Sequence, residues 1–266
     1  MSTPVFKLDV DRLSKSFYKG NDEIVALQDV TCRVADGEFI SIVGASGCGK
    51  TTFLRLISGM VRPTSGNATL DGVPIVGPGA DRGFVFQQDS LLPWRNVIDN
   101  VVIGPEIGGR KKESKAIAIE NIRLVGLGGF EKYYPHELSG GMRQRVNLAR
   151  ALTLDPEILI MDEPFAALDS QTRELMQQEL LNIWEQDRKT VLFVTHQIDE
   201  AVYLSDRTLV FTVNPGGLKE ELVIDLPRPR PSNIKRSPEF IAYVEHIWSL
   251  IEEEVRSGMN QELNET

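Results

Sequence analysis

Eight consecutive residues, Gly44-Ala-Ser-Gly-Cys-Gly-Lys50-Thr51, confine this chain to a narrow set of folds. They fill every anchor of the pattern GxxxxGK followed by serine or threonine. They also lie where that pattern has to lie. An apolar, β-branched run at 38–43 precedes them, and a helical pattern follows in which Leu54 and Ile57 come after Phe53. Glycines let the backbone curl until its N–H groups converge on one point, and the positive end of the following helix adds to the pull on an anion. The Lys50 ammonium is expected to reach the β- and γ-phosphates of a nucleotide, and the Thr51 hydroxyl to bind Mg²⁺. A chance glycine turn would not have both flanks and every anchor in place.

Strand, loop and helix in that order predict an α/β fold. The length of 266 residues suits one domain with insertions. Strand-like runs at 5–10, 30–34 and 38–43 open the chain, with a turn at 35–38, and strands resume at 68–70 and 83–86. The middle, from about 89 to 152, changes to helical periodicity: Ile117, Ile119, Ile122 and Val125 mark one helix and 142–152 another. Short apolar runs at 158–161 and 191–195 then read as buried parallel strands, separated by a long amphipathic helix at 172–186. The expected domain spans 1–213 with a helical subdomain at about 89–152, followed by a C-terminal extension at 214–266. In that extension Leu226-Pro-Arg-Pro-Arg-Pro231 should be extended. Phe240, Val244, Ile247, Trp248 and Ile251 then mark one face of a closing helix.

A formal net charge of -9 argues against a broad attraction to nucleic-acid phosphates. The two cysteines, Cys32 and Cys48, have neither metal-ligand nor CxxC spacing, which fits a reducing, cytoplasmic compartment. The opening residues, MSTPVFKLDVDR, lack the zones of a signal peptide, and the apolar runs are too short to span a bilayer. The expectation is a chain soluble by itself, so that any work at a membrane needs a partner to hold it there.

Two further segments carry chemistry. Asp162 and Glu163 end the apolar run Ile158-Leu-Ile-Met161, at the carboxyl end of a predicted parallel strand where α/β sheets bind ligands. Asp162 can hold Mg²⁺ through water, and Glu163 can polarise an attacking water. Leu138-Ser-Gly-Gly-Met142 places a serine cap and two glycines at a helix start, a second anion cradle that one nucleotide does not need.

That surplus is where a resemblance enters. The set resembles the ATPase subunit of ATP-binding-cassette (ABC) transporters over about residues 8–213. In that family two subunits lie head to tail, each ATP clamped between one copy's phosphate loop and the other's LSGGQ segment. The implied fold is a phosphate-loop NTPase core with a mostly parallel sheet, an N-terminal antiparallel β subdomain and a helical insertion. The implied nucleotide contacts are Gly44, Ser46, Gly47, Cys48, Gly49, Lys50, Thr51 and Thr52, with Ser139, Gly140 and Gly141 serving the opposite ATP. Gln87 matches the glutamine that touches Mg²⁺ and water, so Thr51, Gln87 and Asp162 form the implied metal set. Glu163, His196 and Gln87 form the implied catalytic set, His196 matching the histidine that contacts the γ-phosphate. Asp169, in Ala166-Ala-Leu-Asp169, resembles the loop that crosses the dimer interface. Phe17 resembles the aromatic that stacks on adenine, with Tyr18 as its rival. Met142 departs from the family's glutamine but leaves the backbone donors and Ser139 in place.

The resemblance further implies ATP and Mg²⁺ as cofactors and a second ATPase copy as partner, identical or closely related. Multi-span membrane permease subunits and, indirectly, an extracytoplasmic solute-binding protein complete the implied assembly, with no nucleic acid. The implied location is the cytoplasmic face of a bacterial cell membrane, peripheral through the permease. Residues 90–95, Ser-Leu-Leu-Pro-Trp-Arg, either receive a coupling helix of the membrane subunit or pack as ordinary core. With Met142 and the Leu226-Pro-Arg-Pro-Arg230 tail they resemble the nitrate, sulfonate, taurine and bicarbonate importer branch. The alternative is a non-transport ABC-type ATPase, but such relatives interrupt the cassette with long coiled coil or carry two cassettes. A phosphate-loop kinase or GTPase would leave Ser139 to Gly141 and His196 without a role.

Overall fold

The computed structural model describes residues 6–88 and 90–264, so the expected strand start at Val5 and the boundary residue Asp89 lie outside the described residues. In chain order the first elements are β1 (Leu8–Lys19), β2 (Asp22–Val34), β3 (Phe39–Val43), α1 (Lys50–Ile57), β4 (Ser65–Leu70), β5 (Val73–Pro74) and β6 (Arg82–Val85). Helices α2 (Val97–Val101), α3 (Ile103–Ile107), α4 (Lys111–Leu124) and α5 (Gly140–Leu152) follow. The rest alternates β7 (Ile158–Asp162), α6 (Ser170–Asp187), β8 (Thr190–Val194), α7 (Ile198–Leu204), β9 (Arg207–Phe211) and β10 (Leu218–Val223), ending in α8 (Pro238–Asn264). Two compact units result, one of Met1–Pro78 with Lys189–Thr266, the other of Gly79–Arg188.

In the first unit β1 pairs antiparallel with both β2 and β4, and β5 extends β4. The β1–β2 hairpin runs well past the strands predicted at 5–10 and 30–34, closing where Lys19 faces Asp22. Its tip is exposed, so the alternation that burial imprints on a strand is missing there and the sequence pattern ended early. The same unit holds β3 between β8 and β9, all three parallel. The residues of β3 and β8 are buried throughout, which is why both read as unbroken apolar runs. Helix α1 packs through Phe53, whose ring meets that of Phe211 edge-on at 5.5 Å.

The charged strand β10, absent from the sequence reading, adds antiparallel to β9 at a half-exposed edge. Beyond it, two arginines anchor the proline-rich segment. Arg230, 1% exposed, donates to the carbonyls of Val202, Tyr203, Ser205, Ile224 and Leu226. Arg228 donates to Asp206 and to the Leu204 carbonyl. Both therefore cap the carboxyl end of α7, where a cation is favoured. In α8 the predicted apolar face divides: Phe240 and Ile247 are buried, whereas Trp248 is 60% exposed.

The second unit pairs β6 with β7 in parallel and also holds α2 to α6. Helix α4 buries Ser114, Ala118 and Ile122, leaving Ile117 of the predicted helical pattern exposed. The row spaced by four is the one that faces its neighbours, so alanine and serine replace isoleucine there. The result is an α/β fold with an N-terminal antiparallel sheet, parallel-rich strands and a helical region, as the motifs imply. Among the described residues no helix is long and apolar enough to cross a membrane.

Candidate functional site

The first unit presents the glycine-rich loop between β3 and α1. Lys50 is 8% exposed, and its Nζ donates to the carbonyls of Gly44 at 2.8 Å and Ala45 at 2.9 Å. The cation is thus held against the loop that precedes it. Helix α1 starts from Gly49 with no side-chain cap and no acid in its first turn, so neither a cap nor an acid of that turn competes with an incoming anion. Two glycines divide the work. Gly49, at φ +89°, has Ala26 O only 2.6 Å from where a Cβ would stand, so it lets the loop approach β2. Gly47, at φ +81°, would put a Cβ into open space. An open, glycine-rich stretch of backbone beside a fixed ammonium fits phosphate oxygens. Cys48 is buried, and burial pushes its thiol up while the Lys50 ammonium pulls it down.

Other predicted residues of this unit stand on β1 and β8. Phe17 is 43% exposed and Tyr18 68%, so neither belongs to the core, and neighbours on a strand face opposite sides. Lys15 Nζ lies 5.1 Å from the centre of the Phe17 ring. His196 is exposed just beyond β8. The turn carrying it is secured from beneath. Thr195 donates its hydroxyl to the buried carboxylate of Glu200, and the same oxygen accepts the Gln197 N–H at 3.0 Å. His196 also lines a pocket of about 370 Å³ with Ile198, Asp199, Val244, Glu245 and Trp248. No local signal in the sequence links Glu200 or Trp248 to this histidine.

In the second unit, β7 ends in Asp162, 8% exposed, and the backbone turns at Glu163 with φ +45°. A left-handed glutamate costs energy, and such outliers gather at functional positions. The Glu163 carboxylate accepts a bond of 3.1 Å from Gln87 Nε2, joining two predicted catalytic residues that are 76 positions apart. Ser139 caps α5, its hydroxyl accepting the Met142 N–H at 3.2 Å, and Gly140 beside it is exposed. Asp169 caps α6. Its carboxylate takes the N–H groups of Gln171 and Thr172 and the Thr172 hydroxyl, the Thr172 N–H being the main reason its pKa lies below the usual carboxylate range. A cleft of about 570 Å³ is lined by Gln87, Gln88, Gly140, Arg143, Gln144, Ala166 and Ala167.

Residues 90–95 split between the two readings. Leu91 is buried, while Trp94 is 71% exposed. The loop is shaped by Asn100, fully buried, which donates to the carbonyls of Leu92, Arg95 and Asn96 and accepts the Leu92 N–H.

A phosphate cradle with a fixed lysine, an acidic strand end and a capped serine-glycine helix start define the class of phosphate-loop nucleotide-binding proteins. Comparison with known proteins narrows it. The ABC transporter family profile matches residues 27–166. Over 254 residues the chain is 52% identical to an uncharacterised ABC transporter ATP-binding protein, MJ0412, of Methanocaldococcus jannaschii, covering 95% of this chain and 94% of that one. It is 46% identical over 228 residues to the taurine import ATP-binding protein TauB of Yersinia pseudotuberculosis (84% and 89% covered). It is 45% identical over 251 residues to the nitrate import ATP-binding protein NrtD of Synechocystis (92% and 94% covered). Among solved structures, the dimeric post-hydrolysis state of the ATP-binding cassette MJ0796 with ADP and Pi superposes with a TM-score of 0.70 at 31% identity, over 83% of this chain and 100% of that one. The chain belongs to the ABC transporter family, as an ATP-binding ATPase subunit of the nitrate and taurine branch.

Proposed function

We propose that this chain powers an importer for a small anion or organic solute of the nitrate, sulfonate, taurine or bicarbonate kind, working as one of a pair of ATPase subunits. The observation that carries the mechanism is the Gln87–Glu163 hydrogen bond of 3.1 Å, which ties the expected water-activating carboxylate to the segment expected to meet the membrane subunit. The dimeric cassette with ADP and Pi supports the pairing, and the taurine and nitrate relatives support the cargo class.

In this reading Lys50 and the amides of 44–52 hold the phosphates, and Phe17 stacks on adenine with Tyr18 as its rival. Glu163 orients the attacking water and His196 meets the γ-phosphate. The Ser139-Gly140-Gly141 helix start and Asp169 face the nucleotide of the second copy. Thr51, Gln87 and Asp162 would hold Mg²⁺, which spreads the charge that develops on the phosphate oxygens. One carboxylate among three donors suits an ion that takes its remaining ligands from phosphate and water. Permease subunits would dock at 87–95, where Trp94 is exposed, and hold the chain peripherally at the cytoplasmic face of the membrane. A solute-binding protein would reach it only through them.

Glu163→Gln should keep ATP binding, accumulate as a closed dimer, and lose turnover by about 100-fold or more. Adding Ser139→Arg should return that variant to monomer with its nucleotide still bound. Normal hydrolysis by Glu163→Gln would overturn its assignment, and a Ser139→Arg chain that cannot bind ATP would overturn the shared site. Cargo is read by co-purifying the permease and measuring ATP-driven uptake of labelled taurine, sulfonates, nitrate and bicarbonate into vesicles.

A further inference from the structure

Helix α5 carries a row of polar side chains that the motif reading leaves unused. Gln144, Asn147 and Arg150 stand three residues apart and so share one stripe of the helix. Gln144 is 5% exposed and Asn147 is 1% exposed, positions where apolar side chains would cost nothing in desolvation. They form a continuous hydrogen-bonded ladder instead. Gln144 Nε2 donates to Pro164 O at 2.6 Å and to Gln87 O at 3.3 Å. Its Oε1 accepts Asn147 Nδ2 at 2.8 Å, and Asn147 Oδ1 accepts an Arg150 Nη2 proton at 2.8 Å. The Arg150 guanidinium then reaches the Ser90 carbonyl at 2.9 Å and the Ser90 hydroxyl at 2.5 Å.

The ladder has a direction. Two carbonyls facing Gln144 demand its amide nitrogen, so its oxygen must face Asn147. Asn147 must then donate, and its own oxygen is left for Arg150. Only one orientation of both amides satisfies every partner. Both ends of the ladder land on chemistry. One end grips the carbonyls of Gln87 and of Pro164, the residue after Glu163; the other grips Ser90, three positions beyond Gln87. The ladder lies on the helix that Ser139 starts.

We propose that Gln144, Asn147 and Arg150 are positioning residues that fasten α5 to Gln87, Ser90 and the turn behind Glu163, so that the helix started by Ser139 helps set the placement of the Gln87–Glu163 pair. This rests on the roles proposed above for Glu163 and Ser139. It adds that the end of α5 facing one ATP sets the placement of the carboxylate serving the other. In this proposal the three side chains do not touch nucleotide; the row acts through Gln87, Ser90 and Pro164, whose carbonyls it holds.

The test uses the full chain. Asn147→Leu removes the middle rung while keeping the same branching and number of heavy atoms. It should lower kcat roughly 10- to 100-fold, as loss of alignment does, with the KM for ATP within about twofold. Titration with a fluorescent ATP analogue should still give one site per chain. Arg150→Lys keeps a donor for Ser90 and should recover most of the rate that Arg150→Met loses. The double variant Asn147→Leu with Gln87→Ala should lose less than the product of the two single losses. If Asn147→Leu does not fold, Arg150→Met at the other end of the ladder provides the same readouts. An unchanged kcat, a binding stoichiometry that falls in step with kcat, or losses that multiply would each overturn the proposal. Glu163→Gln tests the underlying reading separately: normal turnover there alongside a slow Asn147→Leu would refute the role of Glu163 without touching the ladder.

Discussion

Two glycines of one loop should separate nucleotide binding from stability when each is changed to alanine. Gly47 and Gly49 both have positive φ, so a left-handed alanine costs about 1–2 kcal/mol at either position. At Gly49 the new Cβ would also stand 2.6 Å from Ala26 O and 2.7 Å from Leu27 Cδ2, and the first of these is backbone of β2 that has no other rotamer to take. Overpacking of that kind adds about 1–3 kcal/mol. Gly49→Ala should therefore lose about 2–5 kcal/mol, or roughly 4–10 °C in Tm at about 2 °C per kcal/mol for a chain of this size. Gly47→Ala has no heavy atom within 4 Å of its new methyl and should lose only the backbone part, roughly 2–4 °C. The methyl instead occupies the open side of the loop. Displacing a phosphate from two amide donors, at about 1.5 kcal/mol each for a charged acceptor, removes about 3 kcal/mol and weakens ATP roughly 100-fold. Differential scanning calorimetry supplies the Tm values, and fluorescent-nucleotide titration well below both transitions supplies the affinities. Should Gly47→Ala bind ATP within about twofold of the parent chain, the open face is not where phosphate sits. Should Gly49→Ala melt unchanged, the contact with β2 does not constrain the loop.

Arg230→Met should destabilise the first unit strongly. At about 1–3 kcal/mol for each buried carbonyl left without a donor, even two orphans among its five acceptors give about 2–6 kcal/mol, read as a lower urea midpoint, with Arg230→Lys intermediate. Asp169 predicts an acid-side effect. Its carboxyl is held below the ordinary range chiefly by the Thr172 N–H, so its stabilising contribution is whole above about pH 4 and is lost as the pH falls through the depressed value. Asp169→Asn, which can still cap α6, should flatten the slope of stability against pH below that point. An unchanged slope would show that the cap does not depend on charge.

Several pieces of this protein were legible one segment at a time. The phosphate loop is local: eight residues specify strand, curl and helix start, and the structure forms them as β3, an uncapped turn at Gly49 and α1. The buried strands β3, β7 and β8 announced themselves as apolar runs because both of their faces are covered. Ser139 was visible as a helix start because a cap is a contact between residues three apart.

What required the tertiary structure is what depends on partners distant in the chain. The exposed tip of the β1–β2 hairpin and the charged edge strand β10 owe their form to neighbouring strands, and burial leaves no alternating pattern on them. Arg230 in sequence is one arginine in a proline-rich stretch; only folding brings the carbonyls of 202–205 around it. Gln144 and Asn147 look like an ordinary polar helix face until Pro164 and Gln87, 20 and 57 positions away, supply their acceptors. A sequence fixes which groups can donate and accept. Which donor meets which acceptor is decided by long-range pairing, because burial makes an unpaired polar atom too costly to leave alone.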